Sequence, residues 1–464
     1  MATLESSSKP FPVPNSTLSF WRTQPHDLDS HRSTEELPAE CDIVIIGAGY
    51  AGACVAYHLL DENPSPPSIL ILEAREACSG ATGRNGGHLK PSPYQVIINN
   101  APKYGREAAV ELAKFETAHI PAMKQLVEKE GIDCDFHITR AVDVLLDDGY
   151  CDEVKQGYDD LVKVGVDTVL DVEYIPGSKA ERISGVKNAK GCLSFTACHI
   201  WPYKLVLHLL KIAVSRGVNL QMHTPVSEVS AAPDPSTGRW TVVTQSRGSI
   251  RAKKVVYATN AYTAALAPQY AGKIVPVRGI CSRIVTPEDN KPAPHLPNTY
   301  SLRWSAAQYD YLIPRPDGSI IVGGARRDYL SYPKNWYNNV DDSKLIESAK
   351  HYFDGYMQRH FRGWENSGAY TDRVWTGVMG YSSDYLPHVG HIPSKPGQLI
   401  IAGFSGHGMP QILLSAKGIA KMIRDDIPFE ETGIPRLYRT TKERLDSTEE
   451  MILATAGISK KAHL

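Results

Sequence analysis

The aliphatic run Ile43-Val-Ile-Ile46 leads directly into Gly47-Ala-Gly49-Tyr-Ala51-Gly52, and no other stretch of the chain restricts its fold as tightly. Glycines at the G-x-G-x-x-G spacing after a buried strand, followed by the helical run Ala53 to Leu60 and a second apolar strand, Ile69-Leu-Ile-Leu72, spell a βαβ dinucleotide unit. Each part has a physical task. Gly47 permits the tight turn, Gly49 lets backbone N–H groups approach a pyrophosphate, and Gly52 allows the helix to pack on the strand. The N-terminus of that helix then faces the phosphate charge. Glu73 closes the second strand about twenty residues past the last glycine, where a carboxylate accepts hydrogen bonds from a ribose diol. This order predicts an α/β Rossmann-type domain holding an adenine dinucleotide.

The loop that follows distinguishes between dinucleotides. Glu73-Ala74-Arg75 opens a small, glycine-laden passage containing Gly80, Ala81, Thr82, Arg84, Asn85, Gly86, Gly87 and His88. A nicotinamide site has no general need of such a passage, and no second G-x-G-x-x-G is present. A flavin, whose ring and ribityl chain thread close to backbone, does need one. Here the chain resembles the D-amino-acid-oxidase superfamily of FAD-dependent oxidoreductases. Further segments carry the same resemblance: Val255-Val-Tyr-Ala258-Thr259-Asn260-Ala261, Pro276-Val-Arg278-Gly279, Tyr311 to Gly318, and Gly403-Phe-Ser-Gly406-His407-Gly408-Met409. Together they span roughly residues 40 to 425.

The resemblance is nearest to the amine-oxidising branch that includes γ-glutamylputrescine and sarcosine oxidases, and it implies several roles. The cofactor would be FAD, and the glycine loop around His407 would lie against the flavin ring. Val226, after Pro225, would hold the adenine by its backbone. Arg84 and Asn85 would take phosphate or ribityl oxygens. His88, Tyr311, Arg326 and His407 would serve the reacting side, with Arg278, Trp375 and Tyr381 as further substrate-facing candidates. Three departures matter. Met409-Pro410 stands where sarcosine oxidases carry a carboxylate-binding lysine, which implies an amine without a clamped α-carboxylate unless Arg278 or Arg326 replaces that lysine. Gly377 stands where their flavin-carrying cysteine falls, which implies non-covalent FAD, with a histidyl bond at His88 as the other option. Only Arg326 and Arg327 are available near the position of their oxygen-activating lysine. The implied reaction moves a hydride from the carbon beside an amine nitrogen to the flavin, with O2 as the final acceptor. Dehydrogenation with another acceptor is the alternative, as is a D- or N-methyl amino-acid substrate. Backbone N–H groups of residues 406 to 409 would stabilise charge on the reduced ring.

The 464 residues suffice for two interleaved domains, and the net charge of −1 favours neither nucleic acid nor an anionic membrane. The expected organisation is an N-terminal arm over 1–38, anchored by Leu18, Phe20 and Trp21. A discontinuous FAD-binding domain takes 39–100, 197–265 and 370–428. An α+β substrate domain built on an antiparallel sheet takes 101–196 and 266–369, and an extension covers 429–464. Helices are expected over 101–129, 205–214 and 410–425. Asp317-Gly318 marks a hairpin, and Val218 to Met222 an edge strand. Asp384 reads as either a turn former or a charge partner. No apolar run reaches the about 18 residues of a membrane helix, and the N-terminus lacks the basic start and apolar segment of a secretory signal. The eight cysteines form no C-x-x-C pair and read as reduced thiols, and no metal-ligand set is evident. Ala462-His-Leu464 fits the small-basic-leucine pattern of a peroxisomal address, implying an import receptor as partner, against the alternative of an ordinary frayed terminus.

Overall fold

The computed structural model describes residues 9–287 and 293–458. The tripeptide at 462–464 lies outside the described residues. Two sheets organise the chain. The first has eight strands, with a central order of His388–His391, Gln398–Ala402, Ser249–Tyr257, Glu40–Ile46, Ile69–Leu72 and Asn219–Gln221. The strands flanking Glu40–Ile46 pair with it in parallel, as do Ile69–Leu72 with Asn219–Gln221 and Ser249–Tyr257 with Gln398–Ala402. Parallel strands covered on both faces must be apolar throughout, and every residue of Ile69–Leu72 is buried. Three helices pack together beside this sheet: Tyr50–Leu60, Pro202–Ser215 and Ile412–Arg424. The expected edge strand, the helix after residue 202 and the closing helix are all present.

The fingerprint glycines act as their spacing predicts. Gly47 sits at φ +112° against the carbonyl of Ala258. A Cβ on Gly52 would stand 1.9 Å from the Gly47 carbonyl oxygen, so only glycine lets this helix meet its strand.

The second sheet has nine strands, ordered Tyr370–Ser382, Ile274–Val285, Ile320–Gly324, Tyr309–Pro314, Thr299–Arg303, His137–Leu145, Gly191–His199 and His88–Leu89, with Glu173–Pro176 beside Gly191–His199. The pairing is antiparallel except where Thr299–Arg303 runs parallel to His137–Leu145. The Asp317-Gly318 hairpin joins two of its strands. Two boundaries shift from expectation. Tyr370–Ser382, expected in the first unit, pairs along its whole length with Ile274–Val285 of the second sheet. His88–Leu89 likewise joins the second sheet.

The arm is anchored by Phe20 and Trp21, which are buried against Trp201, whereas Leu18 is exposed. The helices expected over 101–129 are two, Gln95–Tyr104 and Arg106–Glu130. No described helix is long and apolar enough to cross a membrane. All eight cysteines are buried and unpaired, and no cluster of metal-ligating side chains occurs among the described residues.

Candidate active site

A cavity of about 760 Å³ runs from the fingerprint glycines, between the two sheets, to the loop at His407. Its near end is built as a cradle for a dinucleotide. Gly49 caps the helix Tyr50–Leu60, whose first N–H, that of Tyr50, is held by Thr82 Oγ1 at 3.2 Å. A Cβ on Gly49 would meet nothing nearer than that hydroxyl, at 3.4 Å, so the space over the helix N-terminus stays open for an anion. Glu73 stands at the strand end with its carboxylate accepting from the backbone N–H groups of Ala48 and Arg75 (2.8 and 3.0 Å), which fixes it at the cavity wall. Ala51, Ala74, Gly80, Ala81 and Val226 line the same end, as do Ala258, Thr259 and Asn260. Pro225 joins them, as do Tyr262 and Leu266, the last two unannounced by any sequence motif.

Several side chains of this loop are engaged by the protein itself. The Arg75 guanidinium is paired with buried Asp342 at 2.9 and 3.1 Å and also donates to the Val13 carbonyl, so it ties arm and loop together. Arg84, expected to meet phosphate or ribityl oxygens, donates to the carbonyls of Ser79, Thr376 and Thr17. Burial lowers its pKa to about 10. Asn85 directs its side-chain oxygen to the Gly87 N–H at 2.7 Å. Three residues on the expected list do not line the cavity: Gly52 lies under the helix, Gly87 packs on the Ile200 carbonyl and Trp21, and the Gly403 N–H donates to Asn260 Oδ1.

The far end holds all four residues expected on the reacting side. The ring of Tyr311 lies against Gly86 and Gly323, where a Cβ at either position would come within 2.4 or 2.2 Å of it; its hydroxyl meets Cys281 Sγ at 3.1 Å. Half-buried His88 pairs through Nε2 with Thr299 Oγ1 at 2.8 Å, and burial, then the charge of Lys90, holds its pKa well below the ordinary imidazole value. Arg326 follows Ala325, a left-handed residue at φ +56° whose N–H donates to Asp310. Among the described residues its guanidinium donates one hydrogen bond, to the Ala307 carbonyl at 3.3 Å. Burial raises Asp310 to about 6 even though Tyr352 and Tyr356 donate to it. Arg278 does not line the cavity, since its guanidinium donates to the carbonyls of Asn335 and Lys344. Trp375 is also absent from the lining: it is fully buried and donates to the Arg84 carbonyl. Tyr381 does line the cavity. Asp384 serves both expected purposes, bonding the Leu386 N–H and pairing with Arg444.

The glycine loop packs before the helix Ile412–Arg424. The His407 N–H is engaged with the Phe404 carbonyl, whereas those of Gly408 and Met409 have no protein acceptor among the described residues. His407 Nε2 lies 3.0 Å from Oε2 of Glu116, which also accepts from the Ser92 N–H and, through Oε1, from Gln411. Burial alone would raise Glu116, yet His407 and these donors hold it below the ordinary carboxylate value. The pairing brings residues 291 positions apart together and leaves no trace in the sequence. Lys90, Arg303, Tyr309 and Tyr385 are further lining residues that sequence reasoning missed.

The parts fit FAD: an open helix N-terminus, a ribose-facing carboxylate and free N–H groups at Gly408 and Met409 share one cavity. The model of the FAD dependent oxidoreductase family matches residues 42–422. The γ-glutamylputrescine oxidoreductase of Escherichia coli is 24% identical over 399 residues, covering 83% of this chain and 84% of that protein. The glycine oxidase of Geobacillus kaustophilus superposes with a TM-score of 0.65 at 18% identity, over 84% of this chain and 95% of its own. The iminodiacetate oxidase of Chelativorans sp. BNC1 gives 0.65 at 17% identity, over 85% and 98%. With the cradle, the loop and the family model in agreement over most of its length, the chain belongs to the FAD-dependent oxidoreductases.

Proposed function

We propose that this enzyme oxidises the C–N bond of an amine that carries a carboxylate, and that O2 takes the electrons as H2O2. The observation that carries the reading is Arg326. It is a half-buried guanidinium on the cavity wall with no carboxylate within ion-pair distance among the described residues. A charged group enclosed without a counter-ion is costly, and an incoming anion relieves that cost. Names of similar proteins support amines and amino acids as the substrate class: glycine oxidase, iminodiacetate oxidase and γ-glutamylputrescine oxidoreductase.

Bound FAD supplies the hydride acceptor, and the amine leaves as an imine that water hydrolyses. The residues of the chain do the remainder. Arg326 orients the substrate through its carboxylate, so that the carbon beside nitrogen is presented in one geometry. Tyr311 and Tyr381 wall the chamber and limit its water. Gly408 and Met409 offer N–H donors at the mouth of a helix whose dipole favours negative charge there. Glu73, Thr82 and the N-terminus of the helix Tyr50–Leu60 retain the nucleotide. Residues Ala258 to Asn260 and Val226 support it from the other side.

The test is a panel of amines and amino acids mixed anaerobically with the yellow protein, followed by admission of air. Bleaching by carboxylated amines and peroxide release on reoxidation are expected. Bleaching without peroxide would reject the oxidase part, and bleaching only by amines lacking an acid would reject the role of Arg326.

A further inference from the structure

We propose that the cavity contains a second anion-binding subsite, formed by Arg303 and Lys90, and that the oxidised amine bears two acidic groups. The inference rests on the reading just given and refines its substrate. The subsite is built by strand pairing. Thr299–Arg303 runs parallel to His137–Leu145 in a register that sets Ser301 beside Asp143 and Arg303 beside Leu145. Lys90, just past the strand His88–Leu89, reaches this patch from the opposite edge. Its ammonium lies 2.5 Å from Asp143 Oδ1 and 3.2 Å from Ser301 Oγ.

Counting charge shows why this patch is not a closed structural cluster. Asp143 is one carboxylate between two cations. Its Oδ1 is taken by Lys90 and its Oδ2 by the Tyr94 hydroxyl at 2.7 Å. Arg303 Nε stands 3.4 Å from Oδ2 and makes no hydrogen bond there or elsewhere in the described protein. Burial alone would raise Asp143, yet Lys90 and Arg303 hold it well below the ordinary carboxylate value, and burial lowers Lys90 to about 8. Asp143 thus answers one of the two cations, and the other carboxylate acting on Lys90, Glu116, is itself bonded to His407 and Gln411. The side chains of Arg303 and Lys90 are only 8% and 9% exposed, and that exposure is onto the cavity.

Arg326 lies within reach of the same ligand. The guanidinium of Arg303 is 4.8 Å from the centre of the Tyr309 ring and that of Arg326 is 5.9 Å from it. Both cations thus stand beside one aromatic ring. The acidic side chains on the cavity wall are already engaged: Glu116 with His407 and Gln411, Asp384 with Arg444, and Glu73 with backbone N–H groups. A molecule that reaches both guanidiniums beside Tyr309 neutralises both if it is a diacid.

The experiment titrates the yellow holoenzyme with succinate, glutarate and adipate, each against the monoacid of equal carbon number. Binding is read from the flavin spectrum and, independently, by calorimetry. At least one diacid is expected to bind about tenfold more tightly than its monoacid, the gain of one charge-assisted contact. Arg326→Met weakens both acids. Arg303→Met abolishes the diacid advantage while leaving monoacid affinity within about twofold. Arg303→Lys preserves the charge of the cluster and retains part of the advantage, and it serves where the methionine variant folds poorly. The proposal is overturned if no diacid exceeds its monoacid, or if Arg303→Met weakens both acids equally. A protein purified without flavin would contradict the FAD reading instead, and calorimetry would still report the diacid preference.

Discussion

Arg326 and Arg278 show how little residue type decides at a flavoenzyme site. Both were candidates to hold a substrate acid, and both are arginines on or beside strands of the second sheet. One is consumed by backbone carbonyls of residues 335 and 344, while the other faces the cavity with a single long hydrogen bond. Replacing Arg326 by methionine should raise the Kd of a carboxylated amine about 100-fold, the loss of a desolvated charge contact, with flavin content unchanged. Rapid-mixing titrations measure this, and an unaltered Kd would remove the residue from the substrate site. The His407–Glu116 pair teaches a similar lesson. The motif around His407 is legible in the chain because its glycines are local. Glu116 is not, because an acid on a long amphipathic helix reads as solvated until the tertiary fold buries it. Lys90, Asp143 and Arg303 were equally invisible: three separate strands, two of them in unexpected parallel register, bring them together. Arg84 and Arg75, which both line the cavity, illustrate the complementary case. Their positions were right, but Thr17, Thr376 and Asp342 come from distant segments and engage the guanidiniums first.

At the scale of elements, the fingerprint makes a sharp distinction between two of its glycines. A side chain on Gly52 collides with the Gly47 carbonyl oxygen, whereas one on Gly49 enters open space. Gly52→Val should therefore disrupt the βαβ unit and give insoluble protein. Gly49→Val should fold, with a normal circular-dichroism spectrum, yet purify without colour because it occupies the pyrophosphate position. A yellow Gly49→Val protein would displace the phosphates from this turn. The arm is an element in its own right. Ser19 donates to the Gly83 carbonyl at 2.6 Å, Trp21 Nε1 to that of Asn85 at 2.5 Å, and Thr17 accepts from Arg84. Removing residues 9–24 strips these contacts from the loop that borders the cradle. The truncated protein should release FAD at least about tenfold faster, if two net hydrogen bonds of about 1 kcal/mol each are lost. Flavin fluorescence during dilution reports that rate, and unchanged retention would reduce the arm to packing. The first sheet and its helices were readable because period, glycine spacing and buried strands agree locally. The second sheet was readable only as a set of antiparallel hairpins. Its outer strand Tyr370–Ser382 was misplaced because pairing over a gap of about ninety residues has no local signature.

For the whole molecule, the interleaved sheets bury many histidines in neutral form. Burial lowers His58, His119 and His360 to about 4 and His199 to about 3, and holds His388 well below the ordinary value. The sign follows from linkage. A histidine whose folded pKa lies below its unfolded value of about 6.5 binds more protons when unfolded, so stability falls as pH drops through that value. Each such group costs about 2 kcal/mol by pH 5. The Tm should therefore decline steeply between pH 6.5 and 5, and His119→Gln should flatten that decline; a Tm independent of pH in this window would contradict the neutral assignments. The most direct test of the central claim is a crystal structure of the yellow protein. The account requires density for one FAD, with its pyrophosphate on Gly49 and its ring between Gly86 and the Gly408–Met409 N–H groups. A ring bound elsewhere, or a different nucleotide in the cradle, would contradict it.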